Sequence, residues 1–347
     1  MAQPIIDYRS DLLVPPTPQI KAAIMQAMNA PPEFELRGEP YQIELEKQVA
    51  QLLGKEDSLL FPTCTMANEA ALIVHCRPGD AVIAEQESHV ITSEGGAPGG
   101  LAGVILRGLP GTKGLPERAA VERLVNAPES VIAPRVKALV LENTHLRSGG
   151  CALDADRTRQ LAAVSAQAGV AVHLDGARLF NAAVASAASL ADLAAVADSA
   201  SLSLNKSLGA PFGAMLAGSA EFIAEALRVR HRLGGGFRPT AMVSAAALAA
   251  LRSFAHIAED HRRARQLGER LGALPGLSVD LSMVETNIVF VSIDVDRAAC
   301  SIVQALGERG VKVMQFADDR IRLVTHRGID DDAVERTVAD FESITER

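Results

Sequence analysis

Hydrophobic and polar residues follow two alternating patterns through the middle of the chain. Short, continuous apolar runs are separated by longer segments in which apolar positions recur every three or four residues. The first pattern is typical of buried strands and the second of amphipathic helices. The apolar runs predict strands at 58–61, 81–83, 103–106, 137–141, 170–173 and 199–204. The periodic segments predict helices at 66–75, 117–125, 155–168, 178–185 and 219–232.

The repeated order of strand, helix and strand predicts the topology. Parallel strands joined by helices form right-handed βαβ units, which build a mostly parallel central sheet flanked by helices. The run from Ala138 to Leu141 is apolar at every position, as expected of a parallel strand covered on both faces. We therefore expect an α/β fold.

Both ends of the chain differ from this middle part. Residues 1–17 are rich in proline and predict an extended arm, and helical patterns follow at 18–29 and 42–53. Alanine-rich helical patterns at 240–254 and 257–272 precede a change to short strands with two helices. Those strands are predicted at 277–280, 287–292, 311–314 and 320–324, and the helices at 296–307 and 331–345. We expect an arm at 1–17, a large α/β domain at 18–254 and a small C-terminal α+β domain at 255–347.

Composition narrows the class of protein. The chain has 347 residues, with 42 acidic and 34 basic side chains and a net charge of -8, which disfavours binding to nucleic acid or an anionic membrane. No apolar run approaches the roughly 20 residues of a membrane span, and the N-terminal sequence lacks a signal-peptide pattern. The four cysteines are scattered without a CxxC pair, so we expect no disulfide scaffold and no metal site. These features predict a cytoplasmic enzyme.

Common nucleotide motifs are not found in the sequence. It has no GxxxxGK[ST], and the run from Gly95 to Gly100 does not fit GxGxxG, so a glycine-rich turn is the better interpretation. The His75–Cys76 pair has no further ligands at metal-binding spacing, which favours a buried helix position.

A different phosphate site is predicted where the strand ending at Phe61 meets a helix. Thr63 and Thr65 stand at the turn, and backbone amides at a helix N-terminus bind phosphate well. An ordinary N-cap by either threonine explains the same pattern, and this alternative stays open.

Two further strands end in charged residues. Asp175 follows an apolar strand at a glycine turn, where a cofactor contact, a local ion pair with Arg178 and an N-cap are all compatible with the sequence. Lys206 lies one βαβ unit later, between Leu204 and Leu208, where partial desolvation would make its amine more nucleophilic. A phosphate site, a carboxylate and a lysine are the three anchors that pyridoxal 5'-phosphate requires.

The sequence also resembles the L-threonine aldolases, which belong to the aromatic amino acid β-eliminating lyase superfamily of fold-type I pyridoxal phosphate enzymes. The resemblance runs from about residue 7 to the C-terminus, with motifs in the family order. The most specific motifs are Leu-Glu-Asn-Thr-His at 141–145 and His-Leu-Asp-Gly-Ala-Arg at 173–178. Others lie at 8–11, 61–68, 88–90, 94–97, 205–213, 234–238 and 322–326.

This resemblance implies roles for particular residues. Lys206 would hold the cofactor covalently, Asp175 would pair with its pyridinium nitrogen, and His89 would stack on its ring. The other implied contacts are to the cofactor phosphate (Thr63, Cys64, Thr65), to the substrate carboxylate (Ser10, Arg178, Arg322, with Arg178 also near the cofactor) and to a neighbouring subunit's cofactor phosphate (Arg238). The family forms homotetramers, built as dimers of dimers with shared active sites.

Some positions depart from the family pattern. Cys64 replaces a glycine in the phosphate turn, while Leu36 and Ile132 stand where the family has a tyrosine and a histidine near the side-chain pocket. An apolar pocket would favour aromatic substituents, at roughly 25 cal/mol for each Å² buried. On this basis we expect 3-phenylserine to be cleaved better than threonine.

The expected activity is cleavage of L-3-hydroxy-amino acids, such as threonine, allo-threonine or phenylserine, into glycine and an aldehyde. A base would remove the β-hydroxyl proton, with His89 or a bound water as candidates. β-Elimination or transamination on the same scaffold remains an alternative, since the anchors are shared. A second alternative is a catalytically silent binding protein with this fold.

Overall fold

The computed structural model describes residues 4–252, 254–294 and 298–345. Its strands, numbered in chain order, are Ile6–Asp7 (β1), Asp57–Phe61 (β2), Ala81–Glu85 (β3), Ile105–Leu109 (β4), Gly111–Thr112 (β5), Leu115–Pro116 (β6), Val136–Glu142 (β7), Ala171–Gly176 (β8), Ser199–Ser203 (β9), Ala214–Gly218 (β10), Leu277–Ser278 (β11), Ile288–Ile293 (β12), Val311–Lys312 (β13), Met314–Ala317 (β14) and Arg320–Val324 (β15).

The helices account for most of the remaining chain. They are Pro18–Ala27 (α1), Pro40–Leu53 (α2), Cys64–His75 (α3), His89–Thr92 (α4), Arg118–Val125 (α5), Ala155–Gln167 (α6), Leu179–Ser186 (α7), Leu190–Ala194 (α8), Ala220–Arg232 (α9), Ala241–Leu251 (α10), His256–Leu271 (α11), Ala299–Glu308 (α12) and Asp331–Thr345 (α13). Short helical turns lie at Asp11–Leu13, Pro98–Ala102 and Leu281–Met283.

A seven-stranded sheet forms the centre of the structure, in the order β2-β10-β9-β8-β7-β3-β4. The strands from β9 to β4 pair in parallel, while β10 runs antiparallel to both β2 and β9. The expected α/β class with a mostly parallel sheet is thus confirmed. Parallel strands place their carboxyl ends along one edge, so Glu142, Asp175 and Ser203 lie together at the ends of β7, β8 and β9.

Several predicted elements differ in the structure. The strand β10 was not predicted, because its Ala- and Gly-containing sequence has low β propensity and its burial comes from its two neighbours. The strand predicted at 103–106 is instead Ile105–Leu109, since Gly103 adopts a left-handed conformation with φ 69°. The helix predicted at 296–307 begins at Ala299, and positions 296–297 lie outside the described residues.

The glycine-rich segment and the N-terminal arm also differ from expectation. Gly95 and Gly96 have positive φ, but the turn that they form continues into a helical turn at Pro98–Ala102. The arm is extended at β1, which pairs in parallel with β13, with Ile6 opposite Val311, but it forms a helical turn at Asp11–Leu13. Long-range pairing of this kind leaves no local signal in a short segment.

Two large hydrophobic clusters stabilise the packing of helices on the two main sheets. One surrounds the central sheet and includes Leu141, Leu174 and Leu204. The other packs α11, α12 and α13 on the sheet β11-β12-β15-β14, and it includes Tyr8 from the arm and Phe341. The domain boundary near residue 255 stays a prediction.

No single helix in the described part of the chain is long and apolar enough to cross a membrane. The consecutive helices α10 and α11 reach that length and composition only when added together, across a bend.

Candidate active site

A pocket of about 300 Å³ opens at the carboxyl edge of the central sheet. Its walls come from the ends of β7, β8 and β9, the starts of α3 and α4, the arm and β15. It brings together nine of the ten predicted site residues, namely Ser10, Thr63, Cys64, Thr65, His89, Asp175, Arg178, Lys206 and Arg322.

Asp175 ends the apolar strand β8 and is 3% exposed. Its carboxylate accepts hydrogen bonds from Asn68 Nδ2 at 2.8 Å and from the Ala177 amide at 3.0 Å. Burial opposes ionisation, but the positive charges of His89 and Lys206 lower the pKa of Asp175 below its usual value. The group is therefore an anion suited to pair with a cationic ring nitrogen.

The turn after Asp175 requires glycine. A Cβ on Gly176 would lie 2.4 Å from the Ser201 carbonyl oxygen of the neighbouring strand. This close approach lets β8 and β9 pair up to the point where the carboxylate enters the pocket.

His89 begins α4 and is held from two sides. Its amide donates to Glu142 Oε2 at 2.6 Å, and its Nδ1 lies 3.0 Å from Glu94 Oε1. Burial lowers the pKa of His89, but the hydrogen bond to Glu94 and the charge of Asp175 outweigh this and raise it above its usual value. The bond to Glu94 thus fixes the orientation of the imidazole and favours its protonated form.

Lys206 follows β9 in the loop that leads back to β10. Burial and the adjacent Arg178 cation lower its pKa below that of a free lysine. A lowered pKa increases the fraction of neutral amine, which is the nucleophilic form. The flanking Leu204 and Leu208 are both buried, as the sequence suggested.

The start of α3 contains the predicted phosphate residues. Thr63 is the N-cap and accepts a hydrogen bond from the Met66 amide at 3.1 Å, so the N-cap alternative holds for its hydroxyl. The amides of Cys64 and Thr65 are the first two of the helix, which have no carbonyl partner within it and are suited to an anion. The Cys64 thiol faces Ser201 Oγ at 3.4 Å.

Arg178 does not pair locally with Asp175. It forms a buried bidentate pair with Asp11 of the arm, with distances of 2.8 Å from Nε to Oδ2 and 2.7 Å from Nη2 to Oδ1. Asp11 also accepts from Ser207 Oγ at 3.2 Å and from Asn287 Nδ2 at 3.4 Å. This pair connects the arm to the lysine loop and to β12.

Arg322 is 7% exposed and lines the pocket from β15. Its Nη2 donates to the Arg9 carbonyl oxygen at 2.9 Å, while its Nε has no hydrogen-bond partner among the described residues. Burial and the Arg178 cation lower the pKa of Arg322 to about 10. A buried guanidinium with only part of its donors used is suited to an anionic group of a ligand.

Three residues singled out in the sequence lie elsewhere in this chain. Arg238 does not line the pocket, since its guanidinium lies 4.9 Å from the Phe34 ring and donates to the Phe34 carbonyl. Ile132 is 92% exposed on the loop after α5 and Leu36 is not part of the pocket wall, so neither forms the expected side-chain pocket. The expected preference for 3-phenylserine over threonine stays a prediction.

Several site residues received no role from the sequence. Asn68 links Asp175 to Glu94, and Glu142 holds the His89 amide. Asn68 and Glu142 were within recognised motifs, and a polar Asn68 in an otherwise Ala-rich helix was the signal available. Asp11 could not be assigned, because its partner Arg178 is 167 positions away.

His89, Glu94 and Asp175 also place potential metal-binding atoms within 4.8 Å of one another. The hydrogen bond between His89 Nδ1 and Glu94, together with the two carboxylate bonds from Asn68, accounts for this grouping without a metal.

Comparisons with known proteins agree with this geometry. The sequence profile described as beta-eliminating lyase matches residues 7–295. A probable low-specificity L-threonine aldolase 2 of Arabidopsis thaliana is 36% identical over 349 residues, covering 98% of this chain and 97% of that protein. A low specificity L-threonine aldolase of Escherichia coli K12 is 32% identical over 351 residues, covering 99% and 100%. A Leishmania major threonine aldolase structure matches with a TM-score of 0.84 at 20% identity, covering 98% and 99%, which shows the shared fold.

The chain therefore belongs to the beta-eliminating lyase family, and it is a pyridoxal-phosphate-dependent lyase. The residues present fit the cofactor. Lys206 offers an amine, Asp175 a buried carboxylate and the start of α3 a set of amides for phosphate. Two buried polar atoms of pocket-lining residues, Arg322 Nε and Thr144 Oγ1, have no hydrogen-bond partner among the described residues.

Proposed function

We propose that this enzyme cleaves L-3-hydroxy-amino acids, such as threonine and allo-threonine, into glycine and an aldehyde. The observation that carries the proposal is that Lys206, Asp175, His89 and Arg322 all line the same pocket. The relatives named as threonine aldolases, aligned over nearly their whole length, support it.

Each group has a task that follows from its surroundings. Lys206 supplies the amine that binds pyridoxal 5'-phosphate, and the amides of Thr63, Cys64 and Thr65 receive its phosphate. Asp175, held as an anion, pairs with the ring nitrogen. When bound, the cofactor supplies an electron sink for the carbon–carbon bond that breaks. Arg322, Arg178 and Ser10 bind the substrate carboxylate and so orient the reacting bond.

His89 is the best-placed group to remove the proton of the substrate hydroxyl. Its Nδ1 is engaged by Glu94, which leaves Nε2 for the pocket side of the ring. The raised pKa of His89 makes its neutral imidazole a stronger base, and the hydrogen bond between Nδ1 and Glu94 stabilises the cation that forms. The same imidazole stacks on the cofactor ring in this proposal.

Product analysis tests the reaction type directly. The purified holoenzyme is incubated with L-threonine, L-allo-threonine and DL-threo-3-phenylserine, and glycine, aldehyde, ammonia and keto acid are measured. Equal amounts of glycine and aldehyde support the proposal, whereas ammonia with a keto acid favours β-elimination. A protein that binds the cofactor, as visible absorbance shows, but converts no substrate would favour the silent binding protein.

The proposal extends to assembly and location. We propose a cytoplasmic homotetramer in which Arg238 reaches a neighbouring subunit's cofactor phosphate. The free thiols of all four cysteines support the cytoplasmic location. The assembly is supported by exposed apolar side chains that a subunit interface would cover, namely Met25, Met28 and Phe34, which are 63%, 59% and 80% accessible in one chain. Arg238 lies directly beside Phe34.

Subunit mixing tests the shared site. Lys206→Ala and Arg238→Ala chains, each of low activity, are unfolded together and refolded. If Arg238 serves the neighbouring site, random pairing restores about a quarter of the parental sites. No recovery in correctly assembled mixtures would contradict the role of Arg238, and light scattering reports the tetramer independently.

A further inference from the structure

A chain of buried hydrogen bonds leads from the outer face of α3 to Asp175. His75 Nε2 lies 2.7 Å from Ser199 Oγ, and Ser199 Oγ lies 2.9 Å from His173 Nδ1. His173 Nε2 lies 3.0 Å from Asn68 Oδ1, and Asn68 Nδ2 donates to Asp175 Oδ2 at 2.8 Å. Four hydrogen bonds through three side chains, Ser199, His173 and Asn68, thus connect His75 to the Asp175 carboxylate.

The carboxylates determine the direction of every bond in this chain. Asn68 Nδ2 must donate, because both of its contacts, Asp175 and Glu94, are carboxylate oxygens. Asn68 Oδ1 is then an acceptor, so His173 carries its proton on Nε2 and accepts at Nδ1. Ser199 fills that acceptor with its single hydroxyl proton.

The remaining contact of Ser199 is with His75. Because its proton is used toward His173, the hydroxyl oxygen can only accept from His75, which therefore carries its proton on Nε2. All donors point toward Asp175, an arrangement in which neighbouring hydrogen bonds strengthen one another. Both imidazoles must be neutral for this order.

The surroundings of both histidines keep them neutral. Burial lowers the pKa of His75 to about 4, although Asp198 opposes this shift. Burial and the neighbouring His75 lower the pKa of His173 to about 3, against the opposing charge of Asp175. His75 also stacks on Phe222, with ring centroids 4.7 Å apart, at the edge of a surface cleft of about 790 Å³.

We infer that His75 is a positioning residue for Asp175. Its Nε2–H orders Ser199, and Ser199 orders His173. His173, together with Ser201 Oγ, which donates to the same Asn68 oxygen at 2.7 Å, holds Asn68 in the orientation that donates to the carboxylate. This inference rests on the proposed function only in taking Asp175 as the cofactor's partner. It gives the His75–Cys76 motif a role that neither a metal site nor simple burial provides.

Two variants separate positioning from packing. His75→Phe keeps the stack on Phe222 but removes the donor, and His75→Gln keeps an N–H donor but loses the ring. The first measurement uses the cofactor-free protein with ¹⁵N-labelled histidine at pH 7. In the parent, NMR should show both His75 and His173 protonated on Nε2 and unprotonated on Nδ1.

The variants should then differ in a defined order. In His75→Phe the ¹⁵N resonance of His173 Nδ1 should move toward that of an imidazole nitrogen without a hydrogen bond, while His75→Gln should leave it in place. The dissociation constant of pyridoxal 5'-phosphate should rise about fivefold to tenfold for Phe and less than threefold for Gln, as expected for one buried hydrogen bond. Ser199→Ala should match Phe, and the double variant should add nothing further.

Specific outcomes would overturn the inference. They are a proton on His173 Nδ1 in the parent, an unchanged Nδ1 resonance in His75→Phe, or additive effects of the Phe and Ala changes. If His75 served only to pack on Phe222, the His75→Phe variant would bind the cofactor more tightly than the His75→Gln variant. Because the NMR measurement needs neither cofactor nor substrate, failure of the proposed aldolase activity leaves this test intact.

Discussion

Replacing Arg322 by glutamine should lower kcat/KM without releasing the cofactor. Arg322 lies in the pocket wall with its Nε unpartnered, and we assign it to the substrate carboxylate. Glutamine keeps much of the side-chain length but removes the charge and the paired donor geometry. Since Asp175, Lys206 and the start of α3 are not touched by the change, cofactor binding should remain close to that of the parent.

The size of the effect follows from burial and from the second arginine. Removing one partner of a buried charge pair costs about 2–5 kcal/mol, and each 1.4 kcal/mol corresponds to a factor of ten. Arg178 is close enough to Arg322 to lower its pKa, and we assign it to the same carboxylate, so it should compensate in part and place the loss near the lower limit. We therefore expect kcat/KM to fall by about 30-fold to 100-fold. If Arg178 compensates more fully, the loss should still be at least about tenfold.

Steady-state kinetics with L-threonine, coupled to aldehyde reduction, measures this change. Arg320→Gln is a matched control, because Arg320 lies two residues earlier on β15 but is exposed and stacks over Phe290. The Arg322→Gln variant also loses the hydrogen bond from Arg322 to the Arg9 carbonyl. Thermal unfolding of both variants shows whether this loss lowers the stability of the fold and thereby the activity. A loss within threefold of the parent, with an intact cofactor spectrum, would refute the assignment of Arg322 to the carboxylate.

Three further predictions concern the cofactor, pH and backbone. Borohydride reduction of the holoenzyme should fix the cofactor on the Lys206 peptide, and mass-spectrometric detection on another lysine would contradict this role. Burial and Glu94 raise the pKa of Glu69 to about 8. As the pH rises from about 4.5 to 8, the unfolded state loses this proton while the folded state retains it, so the free energy of unfolding decreases. Glu69→Gln should therefore raise Tm more at pH 8 than at pH 5; an equal change at both pH values would contradict it. Gly176→Ala should lower Tm sharply through its 2.4 Å approach to a backbone oxygen, whereas Gly307→Ala, with no atom within 4 Å, should raise it slightly. Equal Tm changes for the two glycine variants would argue against the clash.

Local patterns predicted most of the central sheet. The strand ending at Asp175 is apolar, bounded by a glycine turn and joined to its neighbours by helices, so its place and its polar end follow from the sequence. The strand β10 could not be found in this way, since a short Ala–Met–Leu–Ala–Gly segment becomes a strand only through pairing with β2 and β9. Its position after the Lys206 loop was visible only in the structure.

The site residues also fall into those that local sequence patterns predict and those that depend on long-range contacts. Residues at strand ends, such as Asp175 and Lys206, were predicted because parallel strands bring their carboxyl ends to one edge. The partner of Arg178 was not predicted, because an ion pair with Asp11 depends on how the arm crosses the sheet. Ile132 is exposed and does not line the pocket of its own chain, since motif alignment fixes order along the chain but not the direction of a loop.

The connection made by Asp11 also has consequences for the order of events during synthesis. Asp11 leaves the ribosome early, but Arg178 follows 167 residues later and Asn287 follows after 276. Its carboxylate must stay hydrated until those partners emerge, because an unpaired charge is not buried. The strand β1 likewise waits for β13, with Ile6 pairing to Val311. The pocket therefore cannot be completed before β15, which carries Arg322, has been translated.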